Sequence, residues 1–247
     1  MVKNFHIFGK GISFSVSPTI HNAGFQHYVL PFTYTTHESN SIDEAAVLIF
    51  RDEQIKTAQL IGAVNTLTVK GNYSEQKIID DNIYWSNLYM IGAGGASRAA
   101  LYALHKAGVK RIYFVNRTLA TAEKFKDDFK SVFEIKRFPG LQDLPKKPEV
   151  VIGTVPVDTT KEDQYSSLFS NRGLCVDVSY KPRQMPLLTE AQQNQGWDMI
   201  TGVEVLLAQA FDQFLLFTGL ELPREIMAEA VVVFDRDRAT TAKGGML

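Results

Sequence analysis

One cysteine, Cys175, is the whole thiol content of the 247 residues. That excludes an internal disulfide and fits a reducing, intracellular compartment. Cys175 lies in the apolar run Gly173-Leu174-Cys175-Val176-Asp177-Val178, which suits a buried structural thiol better than a nucleophile. Charge imbalance is also missing: 26 basic residues face 27 acidic ones, a net charge of -1. The surface as a whole therefore offers no electrostatic reason to bind nucleic acid or membrane. No apolar run approaches the roughly 18 residues of a membrane span, and the N-terminus carries no signal-peptide pattern. The five histidines are scattered without ligand spacing, so no metal site is expected. Internal repeats and low-complexity segments are absent.

What the sequence does contain is organised around Tyr89-Met90-Ile91-Gly92-Ala93-Gly94-Gly95-Ala96-Ser97-Arg98-Ala99-Ala100. This reads as a short apolar strand, a glycine turn and a helix rich in alanine and leucine. Gly92 and Gly94 permit a tight turn and close approach of a ligand, and the small Ser97 lets the helix pack closely. The helix start then offers free N–H groups and the positive end of a dipole to a pyrophosphate. A glycine triplet alone is weak evidence. Here the strand and the helix lie on the correct sides, and Arg111 to Thr118 follows as a second strand, so a dinucleotide-binding fold is expected.

Ahead of this loop, Asn4–Gly9 is a strand candidate, and Ser17-Pro18 opens a helix that should run to about Leu30. Phe32–Thr36 alternates and reads as a second strand. Ala46–Phe50 suits a buried strand, Glu53–Leu60 a short helix, and Ala63–Val69 with Lys77–Ile79 a hairpin. After the loop, β/α alternation is regular: helix Ser97–Ala107, strand Ile112–Val115, helix Ala120–Phe129, then strands near Phe133–Phe138, Val150–Pro156 and Leu174–Val178. This pattern predicts an α/β fold with a doubly wound parallel sheet. Helices Val203–Phe217 and Pro223–Val232 should end the fold, with Arg236–Leu247 frayed or disordered. Two connections are too short. Glu38 to Ala45 leaves little room for a crossover helix, and only Ser86-Asn87-Leu88 separates Trp85 from the nucleotide-fold strand. Either connecting elements have been lost or internal loops are missing from the sequence, and the second is favoured.

Several ordered segments together resemble the shikimate/quinate dehydrogenase family. Ser15-Val16-Ser17-Pro18-Thr19-Ile20-His21-Asn22 is similar to its substrate-binding S-x-S-P-x-x-H-N motif. Gly62-Ala63-Val64-Asn65-Thr66 is similar to G-A-V-N-T, Gly92–Ser97 to its glycine loop, and Asn116-Arg117-Thr118 to its N-R-T clamp. Tyr180-Lys181-Pro182 with Pro186-Leu187-Leu188 matches Y-x-P…P-L-L, and Gly202–Ala210 resembles G-x-x-M-L-x-x-Q-A. The likeness spans nearly the whole chain and is greatest to the fungal branch, in which this domain ends a pentafunctional shikimate-pathway polypeptide.

The resemblance implies a Rossmann-type domain at 86–205, a smaller α/β substrate-binding domain at 1–85 completed by helices within 206–234, and a tail at 235–247. It implies that Ser15 and Ser17 hold the carboxylate of shikimate, quinate or dehydroshikimate, that Asn65 and Gln209 bond ring hydroxyls, and that Tyr180 contributes to the same site. Taken singly, Ser17 could be a helix N-cap, Asn65 a turn residue and Gln209 a solvated helix position. Gly92, Gly94, Gly95, Ala96, Ser97, Asn116, Arg117, Thr118 and Thr154 would hold the dinucleotide. Arg117, where NAD enzymes present an acidic residue, suits the 2′-phosphate of NADP.

The sequence departs from the family where the proton must go. The family uses a lysine in V-T-x-P-x-K and an aspartate in D-N-T-D. Here Val47-Leu48-Ile49-Phe50 is followed by Arg51-Asp52-Glu53 without that lysine, and Asp81-Asn82-Ile83-Tyr84 places Tyr84 at the aspartate position. A phenol, with a reference pKa of about 10, is a poor base near neutrality. Phe14 likewise replaces a polar or basic residue. The expectation is a catalytically degenerate domain that senses a pathway metabolite, as in the fungal quinate-pathway repressor, and that would then be nuclear rather than cytoplasmic. Additional domains or a protein partner are expected, with no direct nucleic-acid contact by this domain. An active NADP-dependent dehydrogenase and a non-binding structural module are the alternatives.

Overall fold

A parallel pair of strands needs a crossing segment between its members, and the N-terminal sequence supplies one. β1 (Lys3–Gly9) leads through α1 (Ser17–His27) to β2 (Phe32–Glu38). The two strands pair in parallel from Lys3 opposite Phe32 to Gly9 opposite Glu38. The later elements are β3 (Leu88–Ile91), α2 (Gly95–Lys106), β4 (Arg111–Val115), α3 (Leu119–Phe129), β5 (Glu134–Phe138) and β6 (Val150–Gly153). They continue with β7 (Gly173–Asp177), α4 (Pro186–Gln193), β8 (Trp197–Ile200), α5 (Gly202–Thr218) and α6 (Arg224–Gly244). The computed structural model describes residues 2–9, 11–39, 88–106, 109–144, 147–157, 164–169, 172–221 and 224–244. The chain divides into two compact units, Met1–Gly62 with Ala210–Leu247, and Ala63–Gln209.

The first unit is held by rings. Phe5 stacks on Phe217 with centroids 4.4 Å apart, and Phe25 lies 5.4 Å from Phe214. Asn22 ties α1 to β2: its Nδ2 donates to the Tyr34 carbonyl at 2.9 Å, while the Tyr34 N–H donates to its Oδ1 at 2.8 Å.

The second unit is a six-stranded sheet in the order β5-β4-β3-β6-β7-β8, parallel throughout. Its two central strands, β3 and β6, are buried at every position, as strands covered on both faces must be. Side-chain alternation divides their residues between two cores. Leu88 and Met90 join Leu101, Ile112, Phe114 and Phe125 on one face. Tyr89 and Ile91 join Val151, Cys175, Leu187 and Trp197 on the other. The fold is the Rossmann-type doubly wound sheet expected from the β/α alternation.

The structure corrects several boundaries. α1 stops at His27, where the Leu30 N–H turns back to the Phe25 carbonyl at 2.8 Å and Val29 takes φ 53°. β8, a short strand with two exposed residues, carries too little alternation to be read from sequence. α6 runs to Gly244, well past the point at which fraying was expected. Polar composition there does not preclude a helix, since alanine, arginine and lysine favour helical backbone by intrinsic propensity. The elements expected at 46–79, with Asn65 and the 81–85 motif, lie outside the described residues.

Candidate functional site

In an open parallel sheet the crevice for a ligand lies beyond the carboxyl ends of the strands where the order reverses. Here that point falls between β3 and β6. The turn after β3 is built on sterics. Gly92 has φ +113°, a region that side chains rarely adopt. A Cβ there would collide with Thr154 Oγ1 and reach within 3.0 Å of Val155 Cγ1. The Gly92 N–H donates to the Val115 carbonyl at 2.9 Å, and the Thr154 N–H to the Ile91 carbonyl at 3.0 Å, which joins the turn to both neighbouring strands. The Thr154 hydroxyl donates to the same Ile91 carbonyl at 2.9 Å and meets Ser97 Oγ at 2.7 Å. Ser97 is fully buried at the start of α2. Its role is therefore more than small size: its hydroxyl bonds α2 to the end of β6.

Beyond this bonded base the turn is open. Gly94, Gly95 and Ala96 are exposed, and nothing lies within 4 Å of the place a Gly94 Cβ would occupy. One strand across, Asn116-Arg117-Thr118 follows β4. Asn116 Nδ2 donates to the Thr118 carbonyl at 2.9 Å, shaping this turn. Arg117 is exposed and pairs with no carboxylate among the described residues. Arg98 is a different case: it pairs with Asp128 at 2.6 Å and lies over Phe125 and Phe129. An exposed cation without a carboxylate partner among the described residues, following the strand next to a glycine turn and helix start, fits a phosphorylated dinucleotide.

The serine motif lies in the first unit. Ser15 and Ser17 are both buried. The N-cap of α1 is Val16, without a side-chain cap bond, so Ser17 is the first helical residue rather than the cap. The Ser17 N–H reaches Ser15 Oγ at 3.4 Å. His21 has a structural place. Completely buried, it stacks on Tyr34 at 4.7 Å and contacts Gln213 Oε1 through Nε2 at 3.2 Å. Its Nδ1 has no hydrogen-bond partner among the described residues. Burial, only partly opposed by Gln213, pushes its pKa down to about 4, so the ring is neutral at pH 7. The same burial pushes the Tyr34 phenol up to about 12. Gln209 is half-buried on α5, not a freely solvated position, and Tyr180 is half-buried in the segment after β7. Gly202 is required by contact, because a Cβ would collide with the Ser179 carbonyl.

Sequence reading missed two carboxylates and a ring pair. Asp177, at the end of β7, is 2% exposed and accepts the Ser179 N–H at 2.9 Å. Burial pushes its pKa up to about 6 against that bond. Its position inside an apolar strand was the available signal. Glu38, at the end of β2, accepts two backbone N–H groups, from Gly11 at 2.7 Å and Ser13 at 3.0 Å. His6 Nδ1 and His37 Nε2, brought together by strand pairing, lie 2.8 Å apart. Linear spacing cannot show such cross-strand neighbours. Cys175 is fully buried and free, and burial raises its thiol pKa. No helix among the described residues is long and apolar enough to cross a membrane.

Comparison with known proteins places this geometry. A family profile described as shikimate/quinate 5-dehydrogenase matches residues 74–193. A pentafunctional AROM polypeptide of Malassezia globosa is 33% identical over 90% of this chain and 17% of its own length. That match runs over 270 positions while drawing on about 222 residues of this chain, so roughly 48 positions of the relative have no counterpart here. Among solved structures, the dehydroquinate dehydratase and shikimate dehydrogenase portion of Schizosaccharomyces pombe AroM superposes with a TM-score of 0.64. It is 24% identical, over 94% of this chain and 53% of that one. Shikimate 5-dehydrogenase of Listeria monocytogenes, solved with shikimate and NAD, gives a TM-score of 0.71 at 20% identity, over 93% and 96% of the two chains. The chain spans less than a fifth of the AROM polypeptides it matches. It belongs to the shikimate/quinate dehydrogenase family, of the type found in those fungal polypeptides.

Proposed function

We propose that the chain binds NADP and a polyhydroxylated ring carboxylate of the shikimate or quinate type without turning them over. The observation that carries the dinucleotide half is the turn after β3, where Gly92 is sterically obligatory and Gly94–Ala96 stand open, with Arg117, unpaired with any carboxylate among the described residues, following the adjacent strand β4. Gly92, Gly94, Gly95, Ala96 and Ser97 would meet the pyrophosphate, Asn116, Arg117 and Thr118 the 2′-phosphate, and Thr154 the base of the crevice. On the other ligand, Ser15 and Ser17 would bind the carboxylate, and Asn65, Tyr180 and Gln209 the ring hydroxyls.

Bound NADP supplies a hydride acceptor, but an alcohol carbon gives up hydride only as its hydroxyl proton is accepted. The family lysine has no counterpart after Phe50, and Tyr84 occupies the aspartate position. Binding without turnover suits a metabolite-responsive domain, such as one in a repressor of the quinate pathway, because a switch needs only differential affinity.

A second reading is a working NADP-dependent dehydrogenase that reduces 3-dehydroshikimate with NADPH and a proton to shikimate. The similarity to the AROM polypeptide over 90% of the chain favours it; this reading requires the lysine to fall among positions that have no counterpart here. NADP reduction measured with shikimate and with quinate on the purified chain separates the two, since clear turnover excludes the first. Calorimetric titration with each ligand then separates a binding domain from a structural module, which would give no heat of binding.

A further inference from the structure

The loop between β1 and α1 ends in the two serines proposed to hold the ring carboxylate, and its backbone is organised by one side chain from another strand. Glu38 is the last residue of β2, registered opposite Gly9. Its Oε2 accepts the Gly11 N–H at 2.7 Å and its Oε1 accepts the Ser13 N–H at 3.0 Å. Both carboxylate oxygens are thus committed to alternate amides of one loop. Gly11 takes φ +65°, which lets the backbone curl around the carboxylate. The order continues toward the serines: the Ser15 N–H donates to the Ile12 carbonyl at 2.8 Å, and the Ser17 N–H approaches Ser15 Oγ at 3.4 Å. The Ser39 N–H, donating to the Gly9 carbonyl at 2.9 Å, holds the opposite end of the same junction.

We propose that Glu38 is a positioning residue that sets the geometry of Ser15 and Ser17 by clamping the Gly11 and Ser13 amides. This rests on the ring-acid reading of those serines. An ionised carboxylate receiving two N–H bonds gives a stronger and more directional anchor than a neutral acceptor. Glu38 is exposed and buries no apolar surface in the core, so its substitution should act locally.

The test uses the full chain with Glu38→Gln, which keeps size but loses charge and one acceptor, and Glu38→Asp, which keeps charge but loses reach. Ring-acid affinity, titrated with shikimate and with quinate, should weaken on the order of tenfold in both variants, while NADP affinity and the thermal midpoint stay near wild type. Amide exchange should quicken at Gly11 and from Ser13 to Ser17 and stay unchanged in β3 to β8. Unaltered exchange in that loop overturns the clamp. Unaltered ring-acid affinity overturns its role in positioning. Tighter binding in Glu38→Gln alone also overturns it, since that marks simple repulsion of an anionic ligand. If the wild type binds neither acid, the ring-acid reading itself fails, and the positioning role fails with it whatever the exchange result.

Discussion

Two loops in this molecule do the same topological job, carrying the chain from a parallel strand into a helix, and they are stabilised by different physics. After β3 the turn is set by the absence of side chains: Gly92 cannot carry a Cβ, and hydroxyls of Thr154 and Ser97 close its base. Its outer backbone stays open at Gly94–Ala96. After β1 the loop gives two of its N–H groups to Glu38 and buries the Ser15 and Ser17 side chains instead. A loop that keeps its amides free can cradle phosphate, whereas one that commits them internally must bind through side chains.

Gly92→Ala should have the largest effect. The collision with Thr154 and the positive φ should weaken NADP binding by about 100-fold or more and lower the thermal midpoint, while ring-acid binding changes little. Calorimetry with both ligands reads this directly, and equal losses for both would break the contrast between the loops.

The buried titratable groups of the two units sharpen the comparison through opposite pH dependence. The folded pKa of His21 lies below its ordinary 6.5, so the unfolded chain takes up that proton first as pH falls. Its stabilising contribution is complete above 6.5 and is lost toward about 4, a loss of about 3 kcal/mol. Asp177 has a folded pKa above its ordinary 3.8, so its contribution is complete below 3.8 and is lost as pH rises through about 6, again by about 3 kcal/mol. The two nearly cancel in the wild type. Asp177→Asn should expose a stability that rises with pH between 4 and 6.5, and His21→Phe one that falls between 4 and 6, both read by urea unfolding across that range. Parallel pH profiles in the two variants would contradict the assignment.

Arg117→Gln should weaken NADP by about 10- to 100-fold and leave NAD nearly unaffected, since only the 2′-phosphate loses its cation. The ratio of the two dissociation constants is the measurement, and it should not respond to Glu38→Gln. The smallest effect expected is that of Asn22→Ala. Loss of both bonds to the Tyr34 backbone should cost about 1–2 kcal/mol in urea unfolding. Shikimate affinity should fall less than in Glu38→Gln, because Asn22 holds β2 rather than the serine loop.

The doubly wound sheet was legible because its signals are local. Val150-Val151-Ile152-Gly153 and Leu88-Tyr89-Met90-Ile91 are apolar on both faces, and the glycine turn needs only its own residues to be recognised. The serine motif was legible as a pattern, but the division of labour inside it was not: Ser15 lies in the loop and Ser17 opens α1, while His21 fills the core and Asn22 ties down β2. β8 escaped notice because a short edge strand has little periodicity, and the end of α6 because polarity was read as disorder.

The sequence by itself determined the alternation of strands and helices from β3 to β7, the position of the phosphate-type turn and the absence of the family's lysine, since each follows from residue identity and short-range periodicity. Only the tertiary structure decided that Glu38 meets Gly11 and Ser13, that His6 meets His37, that Thr154 closes the turn at Gly92, and that Asp177 is buried. Those facts depend on which strands pair and in what register, and pairing joins residues that are far apart along the chain.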